Sequence, residues 1–406
     1  MHIATMKKTI LLFLIFLTTN SVRSQSTDSL IGTIQSSADR LLTTGGKLLL
    51  GGYGEVHYNQ PLNSGIRNNG VLDVHRMVVL LGYNFTSKTQ FISEIEFEHV
   101  SEVYIEQAFL QYKLNSFLNF RAGLMLIPMG IVNEYHEPTA FNGVERPVID
   151  TRISPSTWRE IGVGVAGNLL GASLKYQFYV VNGFNSYDTE GRLRGRDGLR
   201  NGRQKGAESY ISSPNITGKI EYYGIRGLNT GISGYFGKTQ SKLYNGIDRD
   251  DNTALARADS SVTGIAMIGI DARYQSGGWQ MRGQFYYTAL SNTDQYNVFT
   301  ARNGVTNDLG SAIAGYYLEA GYNVLKFNPN TNSELILFTR YENFNMHNST
   351  ANGLPENRNY DNDVITAGFS LKLAKGAVVK ADLQLIKTAA APEFAKSFNA
   401  GVGVMF

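Results

Sequence analysis

The sequence predicts an all-β protein, a transmembrane antiparallel β-barrel of about sixteen strands. Three observations carry that expectation. The N-terminus reads as an export signal. After it comes a succession of strand-like segments of about ten residues, joined alternately by tight turns and long polar loops. The last segment alternates without a break and ends on Phe406.

Residues 1–25 have the layout of a signal peptide. Lys7 and Lys8 precede an apolar run from Ile10 to Leu17, and a polar stretch ends near Ser24 and Gln25. The run is too short to cross a bilayer as a helix. Arg23 occupies a place where a small residue would mark the cleavage point. Residues 26–46 form a short periplasmic N-terminal segment, in which Leu30, Ile31, Ile34, Leu41 and Leu42 allow a short amphipathic helix or a tail. No separate plug domain fits there, which argues against a large gated receptor. Residues 47–406 make the barrel.

After Gln25 no apolar run is long enough for a membrane-spanning helix, which takes about eighteen residues or more. A lipid-exposed backbone must pair its polar groups internally, so the remaining way across is a closed barrel. Barrel strands need one apolar face only, in keeping with a mean hydropathy of -0.19. The 43 Gly, 23 Tyr and 21 Phe suit such strands and their interfacial girdles. With no cysteine, disulfides and thiolate metal sites are excluded. The formal charge is +3, but Lys7, Lys8 and Arg23 belong to the signal region, so the exported chain is near neutral and nucleic acid is not an expected partner.

The strands follow from period-2 alternation. In the last segment Phe398, Ala400, Val402, Val404 and Phe406 share one face. Trp279, Met281, Phe285 and Tyr287 alternate with Gln280, Arg282, Gln284 and Thr288, and Leu174, Tyr176, Phe178 and Val180 with Ser173, Lys175, Gln177 and Tyr179. Phe120, Ala122 and Leu124 alternate with Asn119, Arg121 and Gly123, and Val379, Ala381, Leu383 and Leu385 with Lys380, Asp382 and Gln384. The predicted strands are 48–58, 71–86, 89–98, 103–113, 118–126, 160–169, 172–183, 215–226, 228–239, 262–275, 278–290, 313–326, 333–343, 363–373, 376–387 and 397–406. From a periplasmic N-terminus the short turns all fall on one side, which a soluble β-sandwich or solenoid would not require.

A barrel of this size encloses a water-filled lumen, whose selectivity depends on width and lining charge. The long exterior loops at 127–159 and 184–214 are the segments able to narrow it. In the first, Arg146, Arg152 and Arg159 have the geometry to hold an anion; equally, they can pair with Glu145, Asp150 and Glu160 and so fix the loop. Arg146, Arg152, Arg159, Glu145 and Asp150 are therefore the constriction candidates. The second loop carries Arg192, Arg194, Arg196, Arg200, Arg203 and Lys205 against Asp188, Glu190, Asp197 and Glu208, either a positive funnel or a solvated exterior loop.

On the wall, alternation turns Glu94, Glu96 and Glu98 to the lumen, where like charges need counterions. Arg76 and Arg121 are the expected partners. Lys175, Arg273, Arg282, Arg340, Lys372 and Lys380 are further lumen-facing residues. Tyr53, Tyr83, Tyr179, Tyr235 and Tyr286 are ambiguous in facing. His2 lies in the signal, and His57, His75, His99, His136 and His347 are scattered; His136 between Glu134 and Glu137 is weak evidence for a metal. No catalytic motif and no phosphate-binding loop is present, so no enzyme, cofactor or metal is expected.

The chain resembles the phosphate-selective porin family of bacterial outer membranes, in a Bacteroidetes-like form. The resemblance covers about 48–406. It rests on Gly51-Gly52-Tyr53-Gly54-Glu55, on Phe91-Ile92-Ser93-Glu94-Ile95-Glu96, on Phe120-Arg121-Ala122-Gly123-Leu124 with Pro128-Met129-Gly130, and on the terminal Phe406. It implies a sixteen-stranded barrel in the outer membrane of a Gram-negative bacterium, a homotrimer set among outer-membrane lipids, an inward third loop and passive diffusion of small hydrophilic solutes or anions. The arginine ladder and lysine cluster of such porins match no residues here one by one. Phosphate preference, a substrate-specific nutrient channel and a non-conducting surface scaffold thus stand beside general diffusion.

Overall fold

A computed structural model describes residues 36–406 apart from 44, 63, 64 and 352. The signal segment 1–25 lies outside the described residues, as does most of what precedes α1 (Ser37–Thr43).

Sixteen antiparallel strands close into one barrel. In chain order they are β1 (Leu48–Pro61), β2 (Val71–Asn84), β3 (Thr89–Glu98), β4 (Glu102–Lys113), β5 (Asn119–Leu126), β6 (Arg159–Leu169), β7 (Leu174–Val181), β8 (Asn215–Ile225), β9 (Leu228–Lys238), β10 (Gly264–Ser276), β11 (Trp279–Ser291), β12 (Ala312–Asn323), β13 (Glu334–Ser349), β14 (Asp361–Ala374), β15 (Ala377–Thr388) and β16 (Ala395–Met405). Each matches a predicted strand to within a few residues, except that β13 runs on to Ser349. Closure pairs β1 with β16, Val56 opposite Val402. Phe406 extends the seam by exchanging both backbone hydrogen bonds with Gly52, at 3.1 and 2.9 Å. No edge is left unpaired, which suits a backbone in hydrocarbon.

The alternation read from sequence separates two environments. Phe120, Phe178, Ile216, Ile232, Phe236, Ile270, Phe285, Leu318, Leu337 and Val402 are exposed on the outer surface. They make the apolar band that lipid requires. A closed barrel with such a band is an outer-membrane protein of a Gram-negative bacterium. Among the described residues no helix is long and apolar enough to cross a membrane. Short turns such as 226–227, 277–278 and 375–376 lie at one end, and the long connections 127–158, 182–214, 239–263 and 292–311 at the other.

Among the bulges that interrupt the pleat, two lie on the first four strands. One lies between β1 and β2, at Glu55 to His57. The other lies between β3 and β4, at Glu94 to Ile95. A bulge inserts one unpaired residue and re-aims its neighbours. Around the first, consecutive His75 and Arg76 contact consecutive inward residues of β1: His75 stacks on His57, and Arg76 binds Glu55.

The interior is occupied. Within it lie the whole connection 127–158, with α2 (Ile149–Arg152) inside it, and α1, whose Ala38, Leu41 and Leu42 are buried. Gly130 (φ +67°) turns the loop inward where any Cβ would collide with Tyr286 and Gln284.

Candidate functional site

The loop 127–158 is held by the barrel wall through its own backbone. Lys219 donates to the Gly130 carbonyl (2.6 Å), Arg282 to that of Ala140 (2.8 Å) and Lys380 to that of Gly143 (2.9 Å). Conversely, Gln284, Asp382 and Glu342 accept from the amides of Ile131 (2.6 Å), Val144 (2.7 Å) and Ile149 (3.2 Å). A buried irregular segment must satisfy its polar groups, and here the charged wall does so. Trp158 ends the loop, packed 4.6 Å from both Phe184 and Tyr235 with its indole N–H on Glu160 (2.8 Å).

His136 forms a second anchor. Its Nε2 lies 3.4 Å from Glu106 and 3.6 Å from Glu94. Burial alone would lower the His136 pKa, but those carboxylates outweigh it and hold the value up at about 10. Tyr53 and Gln107 complete the hydrogen bonding of Glu94, at 2.8 and 2.7 Å. Asp150 accepts from Gln284 (2.6 Å) and Tyr286 (2.9 Å), yet burial pushes its carboxyl up to about 7.

The expected pairing of Arg76 and Arg121 with Glu94, Glu96 and Glu98 is not what forms. Arg76 binds Glu55 and the His136 carbonyl. Arg121 is drawn toward α1, with Asp39 at 3.5 Å, and also donates to Gln111 (2.8 Å) and Tyr179 (3.1 Å). The reason is competition: the inserted loop and α1 bring partners that alternation along one strand does not reveal. Arg340 is buried between Glu319 (3.2 Å) and Glu342 (2.9 Å), and Arg282 meets Glu319 at 3.1 Å. Tyr53, Tyr179, Tyr235 and Tyr286 all face inward but lie packed beneath the loop; they form no open aromatic track.

A polar cavity of about 300 Å³ lies toward the outer mouth. Of the constriction candidates, Arg146, Arg159 and Glu145 line it, together with Glu96 and Glu98 from the wall. Arg152 and Asp150 do not: Arg152 faces Asp197 at 3.6 Å, and Asp150 is committed to β11. Arg200, Arg203 and Lys205 come from the loop 182–214, and Glu55, His57 and His75 from the ends of β1 and β2. Sequence reasoning marks the first three only as a general positive funnel, and the last three carry no local signal.

The lining charges fall into two sets. Glu145 is held by His57 (3.1 Å) and Asn59 (3.0 Å); burial would raise its pKa, but the hydrogen bond from His57 outweighs that and keeps it at about 2. Arg146, Arg159, Arg200, Arg203 and Lys205 form the other set, and among the described residues none has a carboxylate within 4.0 Å. Arg203 donates to the Ser156 carbonyl (2.6 Å), Arg200 to that of Thr151 (3.3 Å), and Lys205 lies over the Tyr104 ring. Burial, with Arg200 and Arg159 close by, pushes the Arg203 guanidinium down to about 9. Burial lowers Arg146, Arg200 and Lys205 in the same sense, each with a cationic neighbour adding to it. Glu55, Glu96 and Glu98 line the same cavity, yet none of them reaches the five cations at contact range, and an anion bound among the cations would relieve their crowding.

No family model matches the chain. An uncharacterized protein of Aquifex aeolicus is 31% identical over 346 residues, covering 82% of this chain and 74% of that protein. Among solved structures, an anion-selective porin from Comamonas acidovorans aligns at 13% identity and TM-score 0.55, over 89% of this chain and 99% of that one. OmpF of Salmonella typhi aligns at 12% and 0.54, over 89% and 98%. OprB of Pseudomonas putida aligns at 10% and 0.52, over 90% and 95%. At these identities the likeness is one of fold, the sixteen-stranded porin-like barrel.

Proposed function

The chain belongs to the family of the Aquifex aeolicus protein, and we propose that it is an outer-membrane channel for small hydrophilic solutes with a preference for anions of about phosphate size. The observation that carries this reading is the cavity lined by Arg146, Arg159, Arg200, Arg203 and Lys205, cations without carboxylate partners. Guanidinium groups bind oxyanions through paired N–H donors. Cations crowded in a confined polar space also raise the local anion concentration. A homotrimer belongs to the same proposal, and cross-linking in native membranes tests it.

Planar-bilayer recording of the folded barrel is the decisive experiment. An anion-biased reversal potential in asymmetric KCl, with block by added phosphate, supports the reading. Large conductance without ion preference reduces it to general diffusion.

A second reading, a non-conducting scaffold, rests on α1 and the loop. Asp39 of α1 binds Lys175 at 2.6 Å, and Gln90 and Lys113 donate to the Leu42 carbonyl at 3.2 and 3.4 Å, so the helix is tied to the inner wall. Absence of conductance from correctly folded protein favours this reading. Conductance that rises when 36–43 are deleted favours a channel that the helix obstructs.

A further inference from the structure

We propose that Asp73, His75 and His99 form a binding site for a divalent transition-metal ion of the Zn²⁺, Ni²⁺ or Cu²⁺ class at the outer mouth of the barrel. One ligand atom from each residue lies within 4.8 Å of the others. Asp73 Oδ2 is 3.5 Å from His75 Nδ1 and 2.6 Å from His99 Nδ1. Metal–ligand bonds of about 2.0–2.2 Å in tetrahedral geometry put neighbouring ligand atoms about 3.4 Å apart. The first separation already has that value. The second is a hydrogen bond that must open by about 1 Å, and His99 is 47% exposed, on the short turn between β3 and β4.

The placement depends on the backbone. The bulge opposite Glu55 and His57 brings His75 onto the His57 ring, stacked at 4.6 Å. His99 takes a left-handed conformation (φ +50°) in the turn between β3 and β4 while its N–H donates to the His75 carbonyl at 3.4 Å. The two imidazoles thus converge on one carboxylate, with ring centres 5.6 Å apart. Two imidazoles and a carboxylate select zinc, nickel or copper over magnesium or calcium, which take oxygen ligands. Glu98, 3.9 Å from His99 Nε2, is placed to orient that ring from its far side. Water would complete the coordination.

His75 also lines the polar cavity. A bound dication would add positive charge at its rim, though the site itself does not depend on conduction. The other trio of this kind among the described residues, Glu94, Glu106 and His136, is fully buried and anchors the loop, so it serves as the internal control.

Isothermal titration of the detergent-folded barrel with ZnCl₂ and NiCl₂ tests the site. The expected result is one ion per chain, with His99→Ala and Asp73→Asn each weakening binding by about tenfold or more, and His136→Gln leaving it unchanged. Both changes lie at the exposed mouth, and heat-modifiable gel mobility checks that each variant folds. Absence of binding, binding unchanged in both rim variants, or binding lost only in His136→Gln would overturn the proposal.

Discussion

The two sides of the lumen use the same residue types to opposite ends. Beneath the loop 127–158, Arg340 sits between Glu319 and Glu342, and Lys219 lies 3.2 Å from Asp271 and 3.3 Å from Glu221; these charges are paired and then committed to loop backbone. At the outer cavity, Arg159, Arg200, Arg203 and Lys205 meet carbonyls and rings, and neither they nor Arg146 has a carboxylate within 4.0 Å among the described residues. A buried charge is tolerated when its partner is buried with it. Cations left without partners beside a cavity are those with interaction energy still available to a ligand.

The largest expected effect breaks the packed side. Arg340→Ala leaves Glu342 buried without its cation and Glu319 with Arg282 alone, and loss of a buried partner costs about 3–5 kcal/mol. Urea unfolding in detergent should show a lower midpoint; an unmoved midpoint would mean that the loop is not held by these charges.

Next is the pH response of the loop. His136 is raised from its ordinary 6.5 to about 10. The stability it contributes is therefore full below pH 6.5 and lost as pH rises through about 10. Asp150 acts in the same sense: with its carboxyl raised from 3.8 to about 7, the folded chain retains a proton that the unfolded chain has released, so stability falls as pH rises through that window. Limited proteolysis should cut within 127–158 faster at pH 10 than at pH 6, and His136→Gln should flatten the difference above pH 7.

At the cavity, Arg203→Glu should lower the anion-to-cation permeability ratio by about fivefold, the effect of about 1 kcal/mol from one contact charge in a wet site. A ratio left unchanged would remove the cation cluster from the selectivity argument. The smallest effect is expected of Arg152→Ala. Arg152 and Asp197 are 37% and 31% exposed, so losing the pair should cost less than about 1 kcal/mol and leave the permeability ratio unaltered.

Much of this is legible in the sequence. The strand 89–98 has the predicted bounds, and Glu94 and Glu96 are inward as their alternation with Phe91, Ile95 and Phe97 requires. The inward course of 127–159 agrees with its length and position. Pairing is what the sequence does not disclose. Arg76 lies opposite Glu98 on one side and Glu55 on the other, and it takes Glu55 because the bulge and the His136 carbonyl arrive there together. Arg152 and Arg159 look equivalent along the chain, yet α2 turns Arg152 away from the cavity while β6 carries Arg159 into it.

By itself, then, the sequence determined the barrel: about sixteen strands, their two faces and the side on which the long loops emerge. Those properties depend on a local period of two and on the contrast between lipid and water, both written residue by residue. Only the tertiary structure decided which charges are satisfied and which remain for a ligand. That outcome depends on bulges, on the path of an inserted loop and on contacts as distant as Asp73 with His99 or Arg203 with Ser156. Electrostatic energy at contact range changes within a few ångströms, and no pattern along the chain encodes such a distance.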